Sequence, residues 1–429
     1  MSAPNDAPAG NGVTRRHFLR SSAAAAVSAA LLSTGNYAFA QGSDRIRVGL
    51  IGCGGRGTGA AGDCANSAPN IEIWAMGDVF EDRLNGSREH LKGLGDKLKV
   101  TDERCFTGID AYKHVLAQDI QLVILATPPG FRPVHFQAAI EAGKHVFMEK
   151  PVATDAPGIR AVLAAGDLAT QKGLAVVAGT QRRHQNGYVA TMRRIHDGAI
   201  GDLVGAQVYW NGGGVGNGTG EFTENDATLE WQIRHWYYLT WLCGDHIVEQ
   251  HVHNIDVANW AFGAHPVSAM GVGGRAQRTA PVYGQIFDHF AIDFEYPNGV
   301  RVMSMCRHWD NTPSNVSERV VGTRGVSDCS SNIWGATPWR YQGQGNNPYV
   351  TEHTDLVNSI RAGKPLNEAR AVAESTLSAI MGRMAAYTGQ VVTWDEALNS
   401  KESLMPAVDD LKRVLGVPPV AVPGKTQLT

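Results

Sequence analysis

Up to about residue 180, short apolar runs bounded by glycine and polar turns alternate with longer amphipathic stretches, the pattern of strands alternating with helices. Arg45 to Ile51 (RIRVGLI), Ile71 to Met76 (IEIWAM) and Leu122 to Ala126 (LVILA) are β-branched or wholly apolar, which predicts parallel strands buried on both faces. Further on the pattern changes. Val204 to Trp210, Phe290 to Tyr296 and Val300 to Cys306 predict longer strands of an open, largely antiparallel sheet. Trp241 to Trp260 (WLCGDHIVEQHVHNIDVANW) carries apolar residues at 247, 248, 252, 255, 257 and 258, which predicts a mostly buried helix from about Ile247 onward. Asn211 to Gly220 (NGGGVGNGTG) has no side chains to hold a regular element and predicts a loop.

The first strand runs directly into Gly52-Cys53-Gly54-Gly55-Arg56-Gly57, a GxGxxG pattern at positions 52, 54 and 57. Glycine at 52 makes the tight turn, glycine at 54 lets backbone N–H groups approach a pyrophosphate, and Gly57 lets the following helix pack on the strand. Gly55 and Arg56 complete the loop. The second strand ends at Asp78, where a carboxylate suits a ribose 2′-OH. Val79 and Phe80 follow, with no adjacent cation to neutralise a 2′-phosphate, so NAD is expected ahead of NADP. The third strand ends in Thr127-Pro128-Pro129, at the sheet edge where the nicotinamide half would lie. The expected architecture is α/β: a Rossmann dinucleotide-binding domain over residues 41–180 and an α+β domain over residues 181–429.

Charge narrows the ligand. The 429 residues carry a net charge of -3, with 18% charged and 43% hydrophobic residues, which excludes a polybasic nucleic-acid or membrane binder and leaves a small molecule. Six scattered cysteines form no CxxC pair. At the N-terminus, Thr14-Arg15-Arg16-His17-Phe18-Leu19-Arg20 precedes a mildly apolar stretch, Ser21 to Leu32, and Ala38-Phe39-Ala40 offers a small-x-small cleavage site. This resembles a twin-arginine export signal over residues 1–40, and the apolar stretch is too short to span a bilayer. The expected destination is the periplasm or another exported location, with no membrane span in the mature chain.

Ala142 to Pro151 (AGKHVFMEKP) closes on Glu149-Lys150-Pro151, and here the chain resembles the glucose-fructose oxidoreductase, inositol dehydrogenase and MocA family. The resemblance runs over about residues 45 to 400. It implies that Glu149 and Lys150 reach the active site, Lys150 touching both cofactor and substrate. Gln181-Arg182-Arg183 with Tyr188 resembles the opening of the family's second domain, which puts Arg182 and Tyr188 at the substrate. Arg361-Ala362-Gly363-Lys364-Pro365 resembles a late helical return, which puts helices over about residues 352–388 back against the Rossmann domain. The family's Asp-x-x-x-His pattern with a further Asp is matched by Glu249, His253 and Asp256, glutamate replacing the first aspartate. The resemblance also implies a sugar or polyol substrate and a homo-oligomer.

On a continuous helix His246, Glu249, His253 and Asp256 share one stripe. Three readings of it stay open: the side chains satisfy one another; His253 is a general base beside the cation Lys150 with Glu249 as partner; or His246, Glu249 and His253 hold a metal. The second is favoured, with no metal. Most of the second domain's many tryptophans are expected in its core, although indoles also stack on sugar faces. Export of a chain folded around its dinucleotide requires a tightly held cofactor that is recycled in place. The expected activity is a sugar oxidoreductase assisted by Lys150 and His253. The alternatives are an NAD-dependent glycosidase or lyase that oxidises its sugar transiently, and a non-enzymatic sugar or NAD sensor.

Overall fold

The computed structural model describes residues 44–215 and 227–427. The export signal read over residues 1–40 and part of the glycine-rich run, residues 216–220, lie outside them. Six strands make the first sheet: β1 (Ile46–Ile51), β2 (Ile71–Asp78), β3 (Cys105–Thr107), β4 (Leu122–Leu125), β5 (His145–Met148) and β6 (Val176–Ala178). All pair in parallel, in the order β3-β2-β1-β4-β5-β6. Helices cover both faces: α1 (Gly55–Ser67), α2 (Glu81–Leu91), α3 (Ala111–Leu116), α4 (Arg132–Glu141) and α5 (Ala156–Gln171). This explains why β4 reads as an unbroken apolar run, since neither of its faces meets water. The strand order reverses between β1 and β4, and open α/β sheets bind ligands in the crevice at that reversal.

Beyond α6 (Asn186–His196) and with α7 (Leu229–Arg234) between its first two strands, the second sheet gathers β7 (Leu203–Gly212), β8 (Ser268–Gly274), β9 (His289–Glu295), β10 (Arg301–His308), β11 (Asn315–Gly322), β12 (Gly325–Ser327), β13 (Asn332–Gly335), β14 (Trp339–Arg340) and β15 (Val392–Thr393). Their order is β14-β13-β12-β11-β7-β10-β9-β8-β15. Every pair is antiparallel except β7 with β10, which run in parallel. Burial alternates along β10: Val302, Ser304 and Cys306 are buried, whereas Met303 and Met305 point outward.

The inner face packs on α8 (His246–Glu249), α9 (Val252–Phe262) and, after α10 (Pro348–Arg361), on α11 (Ala369–Thr388). Leu356, Val357 and Ile360 of α10 share a core with Ile46, Val48 and Leu50 of β1, so this late helix lies against the first sheet. A single apolar core continues from Ile51 and Leu125 through Ile255 and Ala379 to Phe290.

One element departs from the expected pattern. Instead of a continuous helix from Ile247, the chain forms α8 and α9 with a turn at Gln250 and His251. The His251 N–H reaches back five residues to the His246 carbonyl (3.2 Å), a local π-type turn of the kind that re-aims side chains at functional sites. Entry into α8 is fixed by Asp245 at φ +79°, a conformation costly for an aspartate. Its fully buried carboxylate holds that shape by accepting from the N–H groups of His246 (2.6 Å) and Phe287 (2.8 Å) and from Tyr387 Oη (2.5 Å).

Candidate active site

A cleft of about 520 Å³ opens at the reversal point, between the carboxyl ends of β1, β2 and β4 and the α8–α9 turn. Gly52, Gly54, Gly55, Arg56, Gly57, Asp78, Thr127, Pro128, Glu149, Lys150, Glu249 and His253 all line it. The glycines divide into two kinds. Gly52 has φ +96°, and a Cβ there would stand 2.6 Å from the backbone of Ala126 and Thr127; one at Gly57 would stand 1.9 Å from the Gly52 carbonyl oxygen. These two are required by the fold of the turn itself. Around Gly54 and Gly55 a Cβ would meet nothing within 4 Å, so what their bareness leaves is room in the cleft. α1 begins at Gly55 with no side chain capping it, so its N-terminal N–H groups and dipole face that room. This cradle fits a pyrophosphate.

Asp78 lies beside it, accepting from the N–H groups of Cys53 (2.6 Å) and Phe80 (2.9 Å). Burial raises its carboxyl above the usual range, opposed by those two donors and by Arg83. Arg83 also lines the cleft, a cation that reading only the residues next to Asp78 passes over. Arg56, partly open to solvent, reaches Glu149 (2.6 Å), with Asp63 at 3.5 Å and Glu352 at 4.0 Å. Arg132, almost wholly buried, donates to the carbonyls of Leu125 and Thr127 (2.7 Å each) and so holds the loop after β4 in place. Its role comes from burial, which its position in the sequence does not announce.

The Lys150 ammonium donates to the Glu249 carbonyl (2.5 Å) and to Glu249 Oε1 (3.1 Å), with both side chains about nine-tenths buried. Glu249 Oε2 has no protein partner. His253 stacks on Trp210 with ring centroids 5.7 Å apart and planes 21° apart. Burial, then the charges of Lys150 and Arg182, push this imidazole well below its ordinary pKa, so it is neutral. Trp210 and Tyr237 complete this end of the cleft.

Three expected site residues, and His246 of the disfavoured metal reading, lie elsewhere. His246 is fully buried on the far side of the α8 turn, its Nδ1 near Asp245 Oδ1 (3.1 Å) and the Phe287 carbonyl (3.2 Å), so the shared stripe and the metal trio with Glu249 and His253 do not form. Among the described residues no three His, Cys, Asp or Glu side chains come together as a metal site. Asp256 is gripped by Arg183 (2.9 Å) and Ser375 (2.8 Å). Arg182 pairs with Glu318, which also accepts from Tyr188 (3.0 Å) and Asn254 (2.5 Å). Neither Arg182, Tyr188 nor Asp256 lines the cleft; they brace the elements behind it, and Gln181 is the residue of that segment that reaches it.

The charge arrangement fixes a pH response. His184 bridges Asp355 (2.7 Å) and Glu368 (3.2 Å); burial opposes its charge, but the two carboxylates prevail and push it up to about 10. A raised pKa contributes stability that is complete below the unfolded value near 6.5 and is lost as pH rises through 10. Burial pushes His135, His251 and His353 down to about 3 and His145 to about 4, and these contribute in the opposite sense, losing stability as pH falls below about 6.5. Melting temperature is therefore expected to peak near neutrality and to fall more steeply on the acid side. The His184→Gln variant should flatten only the alkaline limb in the same thermal melts.

Fold and cleft together define a two-sheet protein whose first sheet carries a Rossmann-type phosphate cradle. Residues 46–180 match the oxidoreductase family with an NAD-binding Rossmann fold, and residues 188–327 match the Gfo/Idh/MocA C-terminal domain. The chain belongs to the Gfo/Idh/MocA family. It is 36% identical over 168 residues to scyllo-inositol 2-dehydrogenase (NADP(+)) IolW of Bacillus subtilis, covering 39% of this chain and 42% of that one. It is 29% identical over 161 residues to a glycosyl hydrolase family 109 protein of Streptomyces coelicolor, covering 37% and 32%. The matches thus span under half of each of these relatives' own length. Scyllo-inositol dehydrogenase from Lactobacillus casei, solved with bound NAD(H) and scyllo-inositol, shares the fold with a TM-score of 0.62 at 20% identity, covering 82% of this chain and 99% of that one.

Proposed function

We propose that this chain is an NAD-dependent oxidoreductase that oxidises a hydroxyl of a sugar, polyol or sugar derivative. The observation that carries the reading is the convergence in one cleft of a phosphate cradle, Asp78, the Lys150–Glu249 pair and the neutral His253. A bound nicotinamide would supply the hydride acceptor. The protein's part is to place the substrate hydroxyl between Lys150, whose charge favours the developing alkoxide, and His253, which takes the hydroxyl proton. Glu249 holds the lysine in place, and Trp210 offers an indole face beside His253 for the apolar side of a sugar ring. Asp78 supports NAD, because its carboxylate would repel a 2′-phosphate; Arg83 is the side chain that would make NADP tolerable.

A second reading is a glycosidase or lyase that oxidises its sugar transiently and returns the hydride, favoured by the family 109 relative. A panel of free sugars, polyols and aryl glycosides added to the native protein separates the two. Accumulation of reduced-nicotinamide absorbance with free sugars, discharged by a second sugar as acceptor, supports the oxidoreductase. Aryl-glycoside cleavage without net reduction would replace it with the glycosidase.

The twin arginines and the Ala38-Phe39-Ala40 site support export of the folded chain, with its cofactor carried along. Assembly follows from the open face of the second sheet, where Val204, Met270, Val272, Met303 and Met305 are exposed together. This face is proposed to pair with another copy of the chain. Light scattering after size exclusion should show an oligomer for the wild type and a smaller species for Val272→Lys combined with Met303→Glu; a monomeric wild type would remove the proposal.

A further inference from the structure

Residues 401–427 form no helix or strand, yet they are fastened at several points. The Leu404 N–H donates to Asp155 Oδ2 (2.8 Å), beside the start of α5. Further along, the segment docks on α7 (Leu229–Arg234): the carbonyls of Arg413 and Leu411 accept from the N–H groups of Leu229 (2.8 Å) and Glu230 (2.9 Å), and the Leu415 N–H donates to the Ala227 carbonyl (2.9 Å). Gln232 Nε2 adds a bond to the Leu415 carbonyl (2.8 Å). Leu404, Val408 and Leu411 of this segment belong to a small apolar core with Phe80, Phe131 and Ile233, separate from the two large ones. That core joins the turn after β2 to α7 and the C-terminal segment.

A polar clamp closes the same junction from outside. Arg234 donates two bonds to Asp82 (3.1 and 3.2 Å), and its guanidinium lies 3.8 Å over the ring of Phe80. Phe80 follows Asp78 by two residues, and Val79, Phe80, Ile233, Arg234 and Val408 all line the cleft. The end of the cleft that holds Asp78 is thus roofed by residues far from the Rossmann sheet in sequence.

We infer that Ile233, Arg234 and Val408 are cofactor-site residues, and that residues 401–417 with α7 form a strap over the adenosine end of the dinucleotide that sets how slowly it leaves. The inference rests on the dinucleotide reading, since Asp78 marks the adenosine end only if a dinucleotide binds. Release requires the roof to lift, which breaks several backbone hydrogen bonds and uncovers apolar side chains at once, so the fully fastened strap makes departure slow. This also accounts for how an exported enzyme would keep its cofactor where none can be replaced.

The test is exchange, followed independently of turnover. The full-length protein carrying its dinucleotide is chased with isotopically labelled NAD, and bound label is measured by mass spectrometry after denaturation. Asp82→Ala opens the clamp at an exposed side chain, and Val408→Asp puts a charge into the roof; a truncation after Ser400 removes the strap. Exchange should be several-fold faster in Asp82→Ala and at least tenfold faster in Val408→Asp and in the truncation. Should the truncation fail to fold, the two point variants decide. Wild-type rates in folded variants overturn the strap while leaving the dinucleotide reading intact; a wild type that neither carries nor takes up NAD or NADP overturns both.

Discussion

Replacing Lys150 with methionine is expected to lower kcat by about a thousandfold, within the 10²- to 10⁴-fold range of a lost acid-base or electrostatic group, with the dinucleotide still bound. The ammonium is held between the carbonyl and a carboxylate oxygen of Glu249, so its position is fixed before substrate arrives. Methionine fills similar space without the charge. Its cost to folding follows from Glu249, whose Oε2 already lacks a partner and whose other oxygen would lose its cation in a nearly closed site. Lys150→Arg should recover little, because a planar fork cannot take the place of a point charge between two oxygens of one residue. Steady-state kinetics on the responding sugar, with bound dinucleotide quantified in the same preparation, separates lost chemistry from lost cofactor. Retention of a tenth or more of wild-type kcat in Lys150→Met would remove the lysine from the reaction.

Gly57→Val is expected to abolish dinucleotide binding altogether and to lower the melting temperature. The new Cβ would stand 1.9 Å from the Gly52 carbonyl oxygen, so either α1 withdraws from β1 or the glycine turn opens, and in both cases the cradle loses its shape. Gly62→Ala, in the middle of the same helix, is the control. Its Cβ meets nothing within 4 Å, and alanine in a helix interior is favoured over glycine by about 1 kcal/mol, so it should raise stability slightly and leave binding alone. Calorimetric titration with NAD and thermal melts on both variants check the pair. Undiminished NAD affinity in Gly57→Val would mean that the turn does not hold the pyrophosphate.

The glycine-turn half of the candidate site was legible because its chemistry is local. A strand, a glycine turn and an acid at the end of the next strand lie within 33 residues, Ile46 to Asp78, and each needs its residue type for a backbone reason. The strands read at Val204, Phe290 and Val300 also match β7, β9 and β10 to within a residue or two, since one buried face forces a period of two. What failed depended on partners distant in sequence. Arg182 and Tyr188 are claimed by Glu318, and Asp256 by Arg183 and Ser375, none of which a motif could foretell. The stripe from His246 to His253 failed because helical spacing assumes an unbroken helix, and one five-residue hydrogen bond at His251 moved His246 into the core. Arg83, Trp210 and Tyr237 reach the cleft through folding alone; their types are common and their spacing carries no signal.

The central claim, a dinucleotide carried in this cleft, is tested most directly by purifying the native protein, denaturing it and identifying whatever dinucleotide is released by mass spectrometry. The account predicts close to one NAD per chain. A protein that releases no dinucleotide, and binds neither NAD nor NADP when either is added, would contradict it.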